Sequence, residues 1–402
     1  TVSDDQLEDW TLSGASYNIG LFHWRPTEAT IKLAKEWLRK ILADETIWDQ
    51  NGFVDLLRKK LGPSVEEGRG LVYAYDGTLK LGVLPASIFC SGHTFFVQGM
   101  YWQFGLKAYA VHTTFQFANR DGKRHRLREA MIFHDPPEYY DSPGGFLAFK
   151  AGIPPRLLFD GPHNTDTHFA LVNYQALLTA YLYISSDTSV WLLVFVFFVF
   201  FQMKQIRTAL AIASLLNRTL VMPPLWCRLD RLWFWHPGVV PGTLTRQPFI
   251  CPLDHVFAVD NMQNAWPENE YGPHIDFREH TFFENPSSPH EVKEEESWLK
   301  VHLCDTKSKG CRISNATTTG RILKLPENSS EETLRAVFSR FKDVKTIQFS
   351  SMQDAFRGFT DKTRAESFRR RMKRYTGLWC CVENVTPGHI YYDMYWDEKP
   401  NW

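Results

Sequence analysis

Residues 18–53 read NIGLFHWRPTEATIKLAKEWLRKILADETIWDQNGF, and the pattern inside this stretch decides the fold class. A short apolar run ends at Leu21 and Phe22, and Pro26-Thr27 then opens a helix. Ile31, Ala34, Trp37, Leu38, Ile41 and Leu42 recur at helical spacing, with Lys32, Lys35, Glu36, Arg39 and Lys40 mostly off that stripe. Asp49 starts a second helix carrying Phe53, Leu56 and Leu57, which stops at Gly62-Pro63. Strand candidates follow at residues 71–75, 80–84 and 108–114. Strand and helix alternate in this way over residues 1–150, which we read as one α/β domain.

Outward from that block, residues 144–167 are rich in Gly, Pro, Asp and His, which marks a boundary. A second α/β domain is expected over residues 160–402. In it a helix at 203–216 runs into a strand at 219–222, and helix then strand recurs at 333–341 and 344–349. Residues 261–328 read as a polar, Pro-rich loop region. The run VWLLVFVFFVFF at 190–201 interrupts this domain. A spanning helix needs about 20 apolar residues, and reaching that length takes in Ser185, Ser186, Asp187, Thr188 and Ser189. We therefore read residues 176–202 as a translated intron, whose removal joins Gln175 to Met203 in one amphipathic helix.

The 402 residues carry 45 Lys plus Arg against 45 Asp plus Glu. No long-range field exists to recruit nucleic acid or an anionic membrane, so a small ligand held by local groups is the better expectation. Aromatic residues make up 15%, a composition suited to sugar rings and to cores alike. Sequons at Asn217, Asn315, Asn328 and Asn384 point to the secretory pathway. Among the seven cysteines, Cys304 and Cys311 bracket a short polar loop and are placed to close a disulfide. The chain begins with Thr1 and without a basic or apolar leader, so a fragment is expected.

Several residues are candidates for chemistry. Asp49 and Gln50 open a helix. A carboxylate there either caps backbone N–H groups or projects into a sugar pocket, where it stabilises a developing glycosyl cation. His112 ends a strand candidate, where α/β sheets bind ligands. It is either a satisfied loop histidine or a ligand completing a divalent metal site. Lys123, in GKRHR at 122–126, is placed to hold a diphosphate. The arginine-rich segment 364–374 reads as a solvated helical face. P-loop, G-x-S-x-G and H-E-x-x-H motifs are absent from the sequence.

The strings YNIGLFHWRP, WDQNGF, IFCSGHTFFVQGMY, VHTTFQF, GKRHRLREAM, IRTALAIASLLNRTLVMPPLWCRLDRLWF and IYYDMYWDEKP resemble plant arabinosyltransferases that glycosylate extensins. These form family seventy-seven of the glycosyltransferases, within the nucleotide-diphospho-sugar transferase group. The resemblance covers nearly the whole chain outside 176–202. It implies an incomplete GT-A (Rossmann-like) domain followed by a second α/β domain, a Golgi membrane anchor lying outside this chain, and a divalent cation, usually manganese. It also implies transfer of L-arabinofuranose from UDP-arabinofuranose, with retention, to the arabinoside chains on hydroxyproline-rich glycoproteins. By the same resemblance Asn18, Gly20 and Lys123 contact the donor, Asp49 and Gln50 lie near the reacting sugar, and His112 is a metal ligand. The D-x-D motif of such enzymes is absent from this sequence, so its ligands are expected upstream and the chain alone is expected to be inactive. A non-catalytic lumenal glycan-binding or scaffold protein and a metal-dependent hydrolase are the competing readings. Turnover lost on mutating Asp49 separates the first from an enzyme, and release of free sugar identifies the second.

Overall fold

The computed structural model describes residues 2–4, 17–65, 70–153, 158, 202–227, 248–309, 311, 321–376 and 392–395. The expected insert, apart from Gln202, lies outside the described residues, as do Asn315 and Asn384. No helix among the described residues is long and apolar enough to cross a membrane. The chain divides at Gln116–Phe117 into two compact units, earlier than the boundary expected at 144–167.

In the first unit, β1 (Val2–Asp4) pairs antiparallel with β2 (Tyr17–Phe22). Helix α1 (Glu28–Ala43) begins where Thr27 and Thr30 exchange reciprocal capping bonds, each taking the other's backbone N–H. Its buried face differs from the expected stripe. Leu33, outside that stripe, is 1% exposed, whereas Ile31, Leu38 and Leu42 face solvent. Leu33 is selected because it meets Tyr17, Phe53, Leu56, Leu57, Val72 and Leu81 in one core, and burying a leucine contributes about 1.5–3 kcal/mol. Helix α2 (Asp49–Leu57) turns Gly52, Phe53, Leu56 and Leu57 into the same core. Salt bridges Lys40–Asp55 and Lys59–Glu36, both 2.7 Å, link residues of α1 to α2 and the turn after it. Strands β3 (Leu71–Ala74) and β4 (Leu79–Gly82) form an antiparallel pair. Strands β5 (Phe89–Ser91) and β6 (Ala110–His112) run parallel, with α3 (Gly92–Phe96) and α4 (Met100–Gln103) between them in the chain.

The second unit begins with α5 (Asn119–Glu129) and is organised by a six-stranded, wholly parallel sheet. Its strands are β7 (Phe146–Phe149), β8 (Thr219–Val221), β11 (Phe277–Arg278), β12 (Leu299–Cys304), β13 (Ile322–Pro326) and β14 (Thr346–Phe349), in the spatial order β11-β8-β7-β14-β12-β13. All four residues of β7 are buried, as expected of a central parallel strand covered on both faces. That strand lies inside the expected linker. Likewise β11, β12 and β13 fall in the stretch read as loop.

Helix α6 (Gln202–Leu216) leads through Asn217 and Arg218 straight into β8. A Cβ on Gly144 would meet the Asn217 carbonyl oxygen at 1.7 Å, so glycine alone lets the two strand entries approach. Arg218 is buried and donates to the Val344 and Phe341 carbonyls at 2.9 and 3.0 Å, and burial lowers its pKa to about 10. Strands β9 (Trp226–Cys227) and β10 (Phe249–Ile250) pair antiparallel and are stapled by Cys227–Cys251. Cys304–Cys311 forms as expected.

Short helices α7 (Val259–Gln263), α8 (Glu268–Tyr271) and α9 (His290–Lys293) connect the elements, and α10 (Glu331–Phe338) precedes β14. Helix α11 (Lys362–Tyr375) corrects the solvated-face expectation. Arg371 is fully buried and donates to the Tyr271 and Gly272 carbonyls at 2.9 and 2.7 Å, while Arg364 pairs with Glu331. Its arginines clasp neighbouring backbone and carboxylates, since unpaired backbone carbonyls in the interior require donors.

Candidate active site

Asn18, Gly20 and His112 are brought together in the first unit. Within β2, the Asn18 side chain is buried and its Oδ1 accepts the Gly20 N–H at 2.6 Å, a local turn that short amides favour. Gly20 is required by its neighbour rather than by its torsion. A Cβ there would lie 2.0 Å from Cε1 of His112 and 2.2 Å from its Nδ1. The imidazole therefore rests against the bare backbone of β2, a residue 92 positions away in sequence being fixed by the absence of a side chain.

His112 ends β6, whose register pairs it with Ser91, the last residue of β5. Ser91 Oγ accepts the Thr94 N–H at 3.2 Å and so caps α3. Gly92 N–H donates to Thr114 Oγ1 at 3.2 Å, and a Cβ on Gly92 would strike the Thr114 carbonyl oxygen at 2.0 Å. These contacts lock the segment after β6 to the start of α3 and place His112 at the carboxyl edge of the parallel pair, where α/β sheets present ligand-binding groups. Ser91, Gly92 and Thr114 were not singled out from sequence, although the Ser-x-x-Thr spacing of SGHT at 91–94 carries the capping signal.

Asp49 and Gln50 occupy the start of α2. The Asp49 carboxylate faces solvent and accepts the Gln50 N–H at 2.8 Å. Its backbone carbonyl accepts the Trp37 indole N–H at 2.9 Å, which anchors the start of α2 to α1. Lys123 lies in the second unit, exposed on α5, while its helix neighbours His125 and Arg126 turn inward. Arg126 and Asp254 form a wholly buried pair at 2.8 Å, and Asp254 also accepts the Phe117 N–H at 2.7 Å.

Glu129, at the end of α5, lies 3.4 Å from His125 Nε2 and 3.8 Å from His280 Nδ1. Burial works to raise its pKa, but the bonds from His125 and His280 outweigh it and hold the carboxyl at about 2. Burial likewise opposes charge on His280, and Glu129 overcomes this and raises its pKa. Glu129 thus ties the last turns of α5 to His280.

Among the described residues no three His, Cys, Asp or Glu side chains converge as a metal site. His112 supplies one nitrogen donor, which by itself does not amount to a cation site. Of the sequons, Asn217 and Asn328 are exposed and both adopt left-handed backbone at φ 53°. Thr219 of the first sequon is buried and bonded to Ser142 Oγ at 2.8 Å.

Residues 1–127 match the family described as nucleotide-diphospho-sugar transferase. Over all 402 residues it is 61% identical to the protein named Arabinosyltransferase XEG113 of Arabidopsis thaliana. The alignment covers 100% of this chain and 58% of that relative, so the chain spans little more than half the relative's length. No solved structure matches the chain.

Proposed function

We propose that the protein to which this chain belongs is a glycosyltransferase that moves L-arabinofuranose from UDP-arabinofuranose to the arabinoside chains on hydroxyproline of extensin-type glycoproteins, with retention. The observation that carries this reading is the 61% identity to an arabinosyltransferase over every residue of the chain. In the first unit His112, set by Gly20 and Asn18, faces the donor, and the exposed Asp49 carboxylate with Gln50 approaches the reacting sugar, where negative charge stabilises an oxocarbenium-like transition state.

A divalent cation, with manganese the first choice, would neutralise the donor diphosphate. His112 is its one ligand among the described residues, and acidic ligands from the full-length protein would complete the set. Without them the 402-residue chain is expected to be inactive. Two disulfides accord with an oxidising lumen, and we place the enzyme in the Golgi, membrane-anchored, with glycans at Asn217, Asn315, Asn328 and Asn384.

The test is a turnover assay of the full-length protein with UDP-arabinofuranose and an arabinosylated hydroxyproline peptide, beside Asp49→Asn. Extension of the glycan by wild type and its loss in the variant support the reading. Undiminished function in Asp49→Asn favours a scaffold, and free arabinose as product identifies a hydrolase.

A further inference from the structure

The second unit holds a cleft of about 470 Å³ that the proposed transfer chemistry does not use. Its lining comes from the places where the chain enters the sheet: Gly144 precedes β7, Asn217 and Arg218 precede β8, and Lys342 precedes β14. The cleft therefore lies at the amino ends of these strands. Open parallel sheets take their ligands at the carboxyl ends, so this cleft stands apart from the edge where a substrate is expected. Leu216, at the end of α6, and Ser339, just after α10, also line it.

Asn217 is the residue that brings chemistry to this cleft. It opens the sequon Asn217-Arg218-Thr219 and is exposed. Its backbone is fixed from two sides. It follows the last residue of α6 in left-handed conformation at φ 53°, and the next N–H, that of Arg218, donates to the Ala213 carbonyl at 3.0 Å, the bond that closes a helix on a left-handed residue. Gly144, bare of a Cβ, packs on its carbonyl oxygen. Glycine serves such a cap at least as well as asparagine, and the Asn217 side-chain amide has no hydrogen-bonded partner among the described residues, so the cap gives the amide no role. Thr219, whose hydroxyl completes the sequon, is 3% exposed in β8 and bonded to Ser142 Oγ at 2.8 Å. A glycosylating enzyme therefore reads this sequon only before β8 joins the sheet. Synthesis runs from the N-terminus, and the partners of β8 and β7 at 277–278 and 346–349 are made after 217–219, which leaves the sequon open during translation.

We propose that Asn217 carries an N-linked glycan whose first N-acetylglucosamine seats in this cleft and becomes part of the wall of the second unit. The inference rests on the secretory placement proposed above. Attachment joins Asn217 Nδ2 to C1 of the sugar and breaks that carbon's bond to the diphosphate of a lipid-linked oligosaccharide, which leaves with the electron pair while the amide gives up one proton. In the folded protein Leu216 and the exposed Pro143 offer apolar surface to the sugar ring, and Arg335, Ser339 and Lys342, all exposed, offer donors to its hydroxyl and acetamide oxygens. The cleft volume falls in the range of about 300–1,000 Å³ usual for small ligands. Tethered to a residue with a fixed backbone, the sugar is held at a high effective concentration, so weak contacts are enough to seat it.

Peptide mass spectrometry of the full-length protein from a eukaryotic secretory host is expected to find the glycan on Asn217. Peptide N-glycanase should release it about tenfold or more slowly from the folded protein than from the unfolded one, because release waits on local opening. Asn217→Gly removes the acceptor amide and keeps the left-handed helix end, which glycine favours, so this variant is expected to fold. In it Lys342 should react with an amine-directed reagent several-fold faster than in wild type, while the exposed Lys362 on α11 reacts equally in both. Unmodified Asn217 in the folded protein overturns the proposal. So does a glycan released equally fast from folded and unfolded protein, with Lys342 equally reactive in wild type and variant. Glycans at Asn315, Asn328 or Asn384 beside a bare Asn217 would sink this inference and leave the secretory reading standing, whereas four bare sequons would sink both. A seated glycan on Asn217 in a protein that transfers no arabinose would uphold this site and overturn the transferase reading alone.

Discussion

Gly20→Ala is the sharpest perturbation of the candidate site. The added methyl would sit 2.0 Å from His112 Cε1, where ordinary contact begins near 3.4 Å, so about 1.4 Å of separation must be found. The obstacle is the end of a side chain, not backbone, and rotating the imidazole relieves it. Stability should therefore fall by no more than about 1–3 kcal/mol, the usual cost of overpacking. Function should fall further, because misplacing a reacting group by about 1 Å costs on the order of a hundredfold in rate. Turnover of the full-length protein, a urea melt, and the His112 imidazole resonance by NMR together check this. Gly144→Ala is the control, since its methyl meets a fixed carbonyl oxygen at 1.7 Å, so it should lose stability in the second unit with no change at His112. A Gly20→Ala variant with an unmoved imidazole resonance and undiminished turnover would refute the reasoning.

Three other outcomes are expected. Asp254→Ala removes the carboxylate that pairs with the buried Arg126 guanidinium and should destabilise the second unit by about 3–5 kcal/mol in urea melts, whereas Asp254→Asn, still able to accept the Phe117 N–H, should cost less. For Glu129 and His280 the pH window follows from opposite shifts: the lowered carboxyl stabilises above about 4.5 and is lost as pH falls toward 2, while the raised imidazole stabilises below about 6.5 and is lost as pH rises past its folded value. Urea midpoints of the second unit should accordingly peak between those limits, and Glu129→Gln should flatten the profile. Deleting residues 176–202 puts Gln175 directly before Met203, in the place of Gln202, whose side chain pairs reciprocally with the Trp226 backbone at 3.0 and 3.1 Å. The shortened chain should fold with undiminished stability, and Gln175→Ala within it should cost about 1–3 kcal/mol for the orphaned groups. Failure of the shortened chain to fold, or mature transcripts that all carry the segment, would remove the intron reading.

Much of the local structure was legible because its signals are local. The Thr27 cap, the start of α2 at Asp49 and the direct passage from α6 into β8 all lie within a few residues of their cause. The face of α1 was not, because Leu33 was chosen by partners as distant as Leu81, which spacing within the helix does not reveal. Strands β12 and β13 do carry a period-2 signal, with Lys300, His302 and Lys324 alternating with buried residues, but it is short and set in polar, Pro-rich flanks, and β7 is too short to show a period between glycines. At the site, the position of His112 at a strand end could be read, but its dependence on Gly20 is a tertiary contact. For Asp49, the N-cap position falls on Trp48 and no side chain caps the helix, so the capping reading gives way to an exposed carboxylate that accepts the Gln50 N–H.

The two disulfides have a consequence for how this protein tolerates change. Cys227 and Cys251, 24 positions apart in sequence, are held at a Cα separation of 5.7 Å, and Cys304 and Cys311, 7 positions apart, at 5.5 Å. With its two feet pinned, an excursion can lengthen or change composition at a closure cost that grows only logarithmically. Sequence drift is thereby quarantined behind the clasps, and these are the places where diverging copies should accumulate insertions without disturbing the strands on either side.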